Sequence, residues 1–163
     1  MQVTSLFHVS IKTQKPEATQ KFYKEVLGMV DAPRPPFEFP GFWLQLPTSV
    51  SQVPLHFYTR NAALSDDGSA PVRSGSIDHL AFTAHGFSEL RARCEKMDVP
   101  YRERTVPSLT LVQLFFYDPN GIQLELNFNA ISEEPLPVID ASNFPRAGGD
   151  WFDVASVAHW GDK

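Results

Sequence analysis

Four side chains able to bind metal stand at two nearly equal intervals: His8 and His79 are 71 residues apart (8 to 79), and His56 and Glu125 are 69 apart (56 to 125). Two pairs sharing one interval point to a duplicated unit, with a short insertion absorbing the difference. The segments around each pair repeat in the same order. Ser5–Ile11 alternates, with Phe7, Val9 and Ile11 on one face and Leu6, His8 and Ser10 on the other, as a half-buried strand does. Lys15-Pro16-Glu17-Ala18 opens a helix whose first turn suits proline; Phe22, Tyr23, Val26 and Leu27 share its face, and Gly28 ends it. Met29–Asp31 as a weak strand, then Phe42–Leu46 and Val53–Tyr58, follow. Asn61–Gly75, rich in Ser, Asp, Gly and Pro, reads as a linker or mobile loop.

The order then restarts. Ile77–Phe82 is a predicted strand and Ser88–Met97 a helix with Leu90, Cys94 and Met97 on one face; Val99–Thr105 and Leu109–Phe116 are strands. Asp118-Pro119-Asn120-Gly121 is a turn signal leading into a last strand, Ile122–Phe128. The prediction is an α+β fold in which a βαβββ module is written twice, over about residues 4–60 and 76–129. The modules are expected to pair into a barrel-like curved sheet with a metal site in its cleft. Residues 1–130 would form this domain and 131–163 a tail packing on it or on a partner.

Composition narrows the chemistry. With 163 residues, 42% of them hydrophobic, the chain can fill a core of its own. Its formal charge of −5 comes from 14 basic and 19 acidic residues with no long run of either sign, so neither nucleic acid nor a membrane surface is expected as a partner. No signal-like N-terminus and no apolar stretch near the roughly 18 residues of a membrane span is present, and a cytoplasmic location is expected. Cys94 is the single cysteine, which excludes an internal disulfide and a thiolate cluster. Imidazole and carboxylate must therefore hold any metal.

Strand parity assigns faces. Leu124 and Leu126 belong with a helix-packed face, so Glu125 shares the opposite face with Gln123 and Asn127. His8 lies between Phe7 and Val9, His56 between Leu55 and Phe57, and His79 between Asp78 and Leu80, so these rings are expected to face the same way as Glu125. Such a set suits one divalent ion: iron(II), nickel, zinc, cobalt or manganese. Gln113, Phe115, Tyr58 and Asn127 share this predicted face, and Glu125, Gln113 and Tyr58 form the candidate catalytic group. Pro33–Trp43 brings Phe37, Phe39, Phe42 and Trp43 beside Arg34, either as an apolar lid admitting an aromatic or long-chain substrate or as a loop over the sheet end. Arg34, Arg60, Arg102 and Arg104 are candidate partners of a substrate carboxylate, whereas His85 and His159 lack repeat mates and are expected in solvent. In the tail, Trp151, Phe152, Val154, Val157 and Trp160 suggest packing, with a short helix over Asp153–His159.

Leu6-Phe7-His8-Val9-Ser10, Phe22-Tyr23-Lys24-Glu25-Val26-Leu27-Gly28, Ile77-Asp78-His79-Leu80-Ala81-Phe82 and Tyr117-Asp118-Pro119-Asn120-Gly121-Ile122-Gln123-Leu124-Glu125 resemble the vicinal oxygen chelate superfamily. Glyoxalase I, methylmalonyl-CoA epimerase, extradiol dioxygenases, fosfomycin-resistance transferases and bleomycin-binding proteins belong to it. The resemblance covers about residues 4–130 and implies that His8, His79 and Glu125 are metal ligands. His56 falls on a fourth position where glyoxalase I and the epimerase carry Glu or Gln and the dioxygenases use no ligand. It is expected either as a ligand or as a hydrogen-bond partner of one.

Phe115 and Glu134 stand where fosfomycin transferases carry Tyr and Arg, and the ligand positions that bleomycin-binding relatives lack are filled. The resemblance thus implies a metal-dependent isomerase or lyase acting on a small carbonyl or hydroxy-carbonyl compound through a stabilised enediolate, with Glu125 as base. An iron(II) dioxygenase cleaving a catechol-like or enediol substrate is the alternative, and a resistance protein that binds or modifies an antibiotic the third. A small-molecule substrate and a homodimer are expected.

Overall fold

The computed structural model describes residues 1–47, 54–106, 110–135, 137–139 and 153. It divides into two compact units, Met1–Pro71 and Val72–Lys163. Each is one βαβββ module.

In the first, β1 (Val9–Thr13) leads to α1 (Pro16–Glu25), β2 (Val30–Asp31), β3 (Gly41–Gln45) and β4 (Leu55–Thr59), with sheet order β1-β4-β3-β2. β1 runs parallel to β4 and the other pairs are antiparallel. Proline stands in the first turn of α1, where its missing N–H costs no helical bond. The Thr13 hydroxyl accepts the Lys15 N–H at 2.9 Å and lies 2.9 Å from the Thr19 hydroxyl. Gly28, at φ +68°, supplies the left-handed residue that ends the helix, and the Met29 N–H returns to the Tyr23 carbonyl at 3.1 Å. Phe22, Tyr23 and Val26 are buried, as are Ile11, Leu44, Leu55 and Phe57, and the Tyr23 ring meets that of Phe57 at 5.1 Å.

The second module has β5 (His79–Thr83), α2 (Phe87–Lys96), β6 (Tyr101–Thr105), β7 (Leu111–Tyr117) and β8 (Gln123–Asn129), in order β5-β8-β7-β6 with β5 parallel to β8. Phe87, Leu90 and Cys94 of α2 are buried with Val112, Leu114, Phe116, Leu124, Leu126 and Phe128. No side chain of the helix's own first residues caps α2. Instead the Glu133 carboxylate, arriving from beyond β8, accepts the Gly86 N–H at 3.0 Å and the Phe87 N–H at 2.7 Å. Between β7 and β8 the Asp118 carboxylate accepts the N–H groups of Asn120 and Ile122 at 2.9 and 2.8 Å, the turn expected there.

Several predicted strands start or end differently. β1 begins at Val9, not Ser5, so His8 precedes the strand instead of sitting inside it, and Phe7 is 79% exposed instead of facing the helix. The ladder ends there for a chemical reason: opposite this point lies Pro54, which accepts the Val9 N–H at 3.3 Å but has no N–H to return. Likewise β5 and β8 begin at His79 and Gln123. Phe42 lies in β3 and stacks on Phe57 at 4.6 Å, on the face opposite to that of Trp43. The Asn61–Gly75 segment is ordered at its start by a 3-10 turn at Arg60–Ala63, whose Ala63 is buried. Val53, Leu109 and all of the suggested Asp153–His159 helix except Asp153 lie outside the described residues, as do Trp151, Phe152 and His159.

Candidate metal centre

Each sheet turns one face to its helix and presents the other with the candidate ligands. In the second module that open face is polar. His79 begins β5, and Glu125 of β8 is 6% exposed beside it. The Glu125 Oε1 accepts the Gln113 amide at 2.8 Å and the Asn127 amide at 2.7 Å. Cross-strand register explains this convergence: Gln113 lies opposite Asn127, and Phe115 opposite Glu125. Arg104, opposite Gln113 on β6, donates its Nε–H to the Gln113 carbonyl oxygen at 2.6 Å. Because arginine only donates, the Gln113 NH2 group must point at Glu125.

The other carboxylate oxygen carries the chemistry. Glu125 Oε2 stands 3.3 Å from His79 Nε2. On the far side of the ring, Nδ1 lies 2.7 Å from the Asp78 carboxylate, which as an acceptor requires Nδ1 to carry the hydrogen. In a neutral ring Nε2 is then a lone pair facing a carboxylate oxygen, an arrangement that needs a proton or a cation. Two donors bound to one first-row ion at about 2.1 Å each stand roughly 3 Å apart, so this pair fits one ion. Asp78 thereby orients the His79 ring and fixes its tautomer.

In the first module the open face is aromatic. His56 of β4 is 9% exposed, stacked on Trp43 with ring centroids 3.8 Å apart and on His8 at 4.2 Å. Trp43 is its register partner on β3. Burial, then the neighbouring His8, then Arg34, hold the His56 pKa below its ordinary value, which favours the neutral ring. Its Nε2 is buried and among the described residues has no hydrogen-bond partner, as expected of a nitrogen reserved for a ligand. Tyr58 lies two residues on, on the same face, with Phe39 at 5.3 Å. His8 is exposed at the start of this row.

The residues read from the sequence therefore gather in two groups, His8 with His56 and His79 with Glu125. Among the described residues no three His, Cys, Asp or Glu side chains form one cluster able to hold an ion. Gln113 touches Glu125 as its face predicted, whereas Tyr58 belongs to the aromatic group of the first module. Asp78, Trp43 and Arg104 were not foreseen in these roles. An acid adjoining a candidate ligand histidine was the one local signal available; the other two depend on register.

No protein-family model matches the chain. It is 26% identical over 145 residues to a protein of Arabidopsis thaliana named Glyoxylase I 4, covering 83% of this chain and 78% of that one. It is 29% identical over 108 residues to an uncharacterized protein of Mycobacterium tuberculosis, of whose length it spans 35%. Among solved structures, lactoylglutathione lyase of Agrobacterium tumefaciens superposes with a TM-score of 0.56 at 15% identity, covering 80% of this chain and 97% of the other. An antibiotic-binding protein of Streptomyces gives a TM-score of 0.57 at 19% identity, with 79% and 98% covered. The chain has the fold of these glyoxalase and antibiotic-binding proteins. An enzyme and a drug-binding protein share that fold, so the fold alone assigns no activity to this chain. Among the described residues no helix is long and apolar enough to cross a membrane.

Proposed function

We propose that this protein belongs to the vicinal oxygen chelate superfamily and is a divalent-metal-dependent, glyoxalase-like isomerase or lyase acting on a small carbonyl or hydroxy-carbonyl compound, with His8, His56, His79 and Glu125 as the ligands of one ion. The observation that carries the proposal is the facing pair of His79 Nε2 and Glu125 Oε2, 3.3 Å apart, with the ring's tautomer set by Asp78. The unpartnered Nε2 of buried His56 and the repeat interval support it. So does the similarity to Glyoxylase I 4.

A bound divalent ion would supply the positive charge that stabilises an enediolate. The chain's own groups do the remaining work. Gln113 and Asn127 hold Glu125 by Oε1, so its Oε2, once released from the ion, would take a proton from the carbon next to the substrate carbonyl. The Tyr58 hydroxyl is available to hydrogen-bond a substrate oxygen from the first module. Burial of Glu125 shields the base from bulk water.

The test is solvent exchange. Metal-loaded protein is incubated with a 2-oxoaldehyde and a thiol in heavy water, and the product is read by NMR. Deuterium at the carbon beside the carbonyl, lost in Glu125→Gln, is the expected result. Bound iron together with oxygen uptake on catechols and no deuterium incorporation would overturn the isomerase reading in favour of a dioxygenase. A metal-free protein that captures a drug without turnover would replace both with sequestration.

A further inference from the structure

The two modules carry an arginine at nearly the repeat interval, Arg34 and Arg104, 70 residues apart (34 to 104). Their surroundings share one feature and differ in another. Arg104 places its guanidinium carbon 5.1 Å from the Phe115 ring; Arg34 places its own 5.1 and 5.0 Å from the rings of Phe37 and Phe39, which stack on each other. Arg104 Nε is satisfied by the Gln113 carbonyl oxygen at 2.6 Å. Register identifies the equivalent of Gln113: it faces Asn127 on the last strand of its module, and in the first module the residue facing Tyr58, the repeat mate of Asn127, is Gly41.

Glycine is required there, because a Cβ would lie 2.3 Å from the Phe57 carbonyl oxygen. That same point lies 3.7 Å from Arg34 Nε, so the arginine looks onto the place where its counterpart finds an acceptor and finds no side chain. Arg34 donates one Nη2 hydrogen to the Phe39 carbonyl at 2.6 Å, which fixes the guanidinium. Among the described residues no carboxylate pairs with it. A half-buried, positioned guanidinium with an unused edge is a ready partner for a carboxylate, whose two oxygens match its fork.

We propose that Arg34 is the anchor of an anion subsite on the open face of the first module, taking the carboxylate of a small aromatic acid. The carboxylate oxygen fills the role that the Gln113 oxygen plays for Arg104, and the ring of the acid lies against the aromatic group of Phe37, Phe39 and Trp43. This deepens the reading of the protein as an enzyme by naming a substrate class, and it rests on that reading only for the acid's fate. Binding itself needs no metal.

The test uses metal-free full-length protein, benzoate as probe and benzamide as its uncharged counterpart, with the Arg34 side-chain Nε–H followed by NMR. Benzoate is expected to shift that resonance saturably, benzamide to bind at least about ten-fold more weakly, and Arg34→Met to lose at least about ten-fold of the benzoate affinity. Arg34→Lys should fall between, since it keeps the charge without the fork. Equal benzoate affinity in Arg34→Met with an unchanged backbone spectrum would overturn the proposal, as would benzoate binding that leaves the Arg34 resonance unmoved. His79→Ala should lose metal and keep benzoate binding, and Arg34→Met should do the reverse, so failure of the subsite and failure of the metal reading give different results.

Discussion

The open faces of the two modules are built on the same strand order and register, yet they carry opposite chemistry. Where the second has Glu125, Gln113, Asn127 and Phe115, the first has His56, Gly41, Tyr58 and Trp43. One face is a hydrogen-bonded cluster of amides around a carboxylate, and the other is a row of stacked rings. The two modules are alike on the helix side, where Leu55, Phe57, Leu124 and Leu126 are all buried, and differ on the opposite face. The helix-side residues interlock as apolar core, whereas the opposite face buries polar and aromatic groups held by hydrogen bonds and ring stacking. The polar module is thereby suited to hold charge in place and the aromatic module to hold a flat molecule.

This contrast can be broken experimentally, most severely at the carboxylate. His79→Ala and Glu125→Ala are each expected to lower metal affinity by more than about 100-fold in chelator competition while the cooperative unfolding transition persists. Full metal retention in either would remove the second module's assigned role. Gln113→Leu deletes one of the two amides on Glu125 Oε1 and strips Arg104 of its acceptor, and should cost about 10- to 100-fold in metal affinity by the same assay.

Smaller effects concern what each module is held together by. Glu133→Ala exposes the N-terminus of α2 to loss of its carboxylate cap and should reduce unfolding free energy by about 1–2 kcal/mol in urea titration, at unchanged metal affinity. In the aromatic module, the His56 pKa is held below its ordinary value of 6.5, so the folded, metal-free protein binds fewer protons there than the unfolded chain. Stability should fall as pH drops below about 6.5 toward the folded value, and His56→Gln should show a shallower acid loss. Cys94, buried under α2 with its thiol pushed up to about 12, should resist thiol reagents at neutral pH and react fully once denatured.

Much of this was legible in the residues themselves. The repeat of His8, His56, His79 and Glu125 and the period-2 alternation around Glu125 named the ligand candidates and put Gln113 beside Glu125, where it is found. The fold class and the two βαβββ modules followed from element order. Strand ends were less legible, because a strand stops where its partner stops offering bonds. His8 lies outside β1 for the sake of Pro54, a residue 46 positions away (8 to 54). Phe42 lies in a strand as its sequence indicates, but a run of aromatics carries no alternation of polarity, and its position opposite Phe57 settles which face it takes.

What the sequence determined by itself is the repeated module and the strand face shared by Gln113, Glu125 and Asn127, since these depend on local period and residue type. Tertiary structure decided which of those groups are already spoken for. Gln113 consumes Arg104 and restrains Glu125, Trp43 covers His56, Asp78 sets the His79 tautomer, and Gly41 leaves Arg34 with an open edge. For all but the adjacent Asp78, the partner comes from a neighbouring strand or loop, and it is chosen by a register that the packing of the whole sheet establishes.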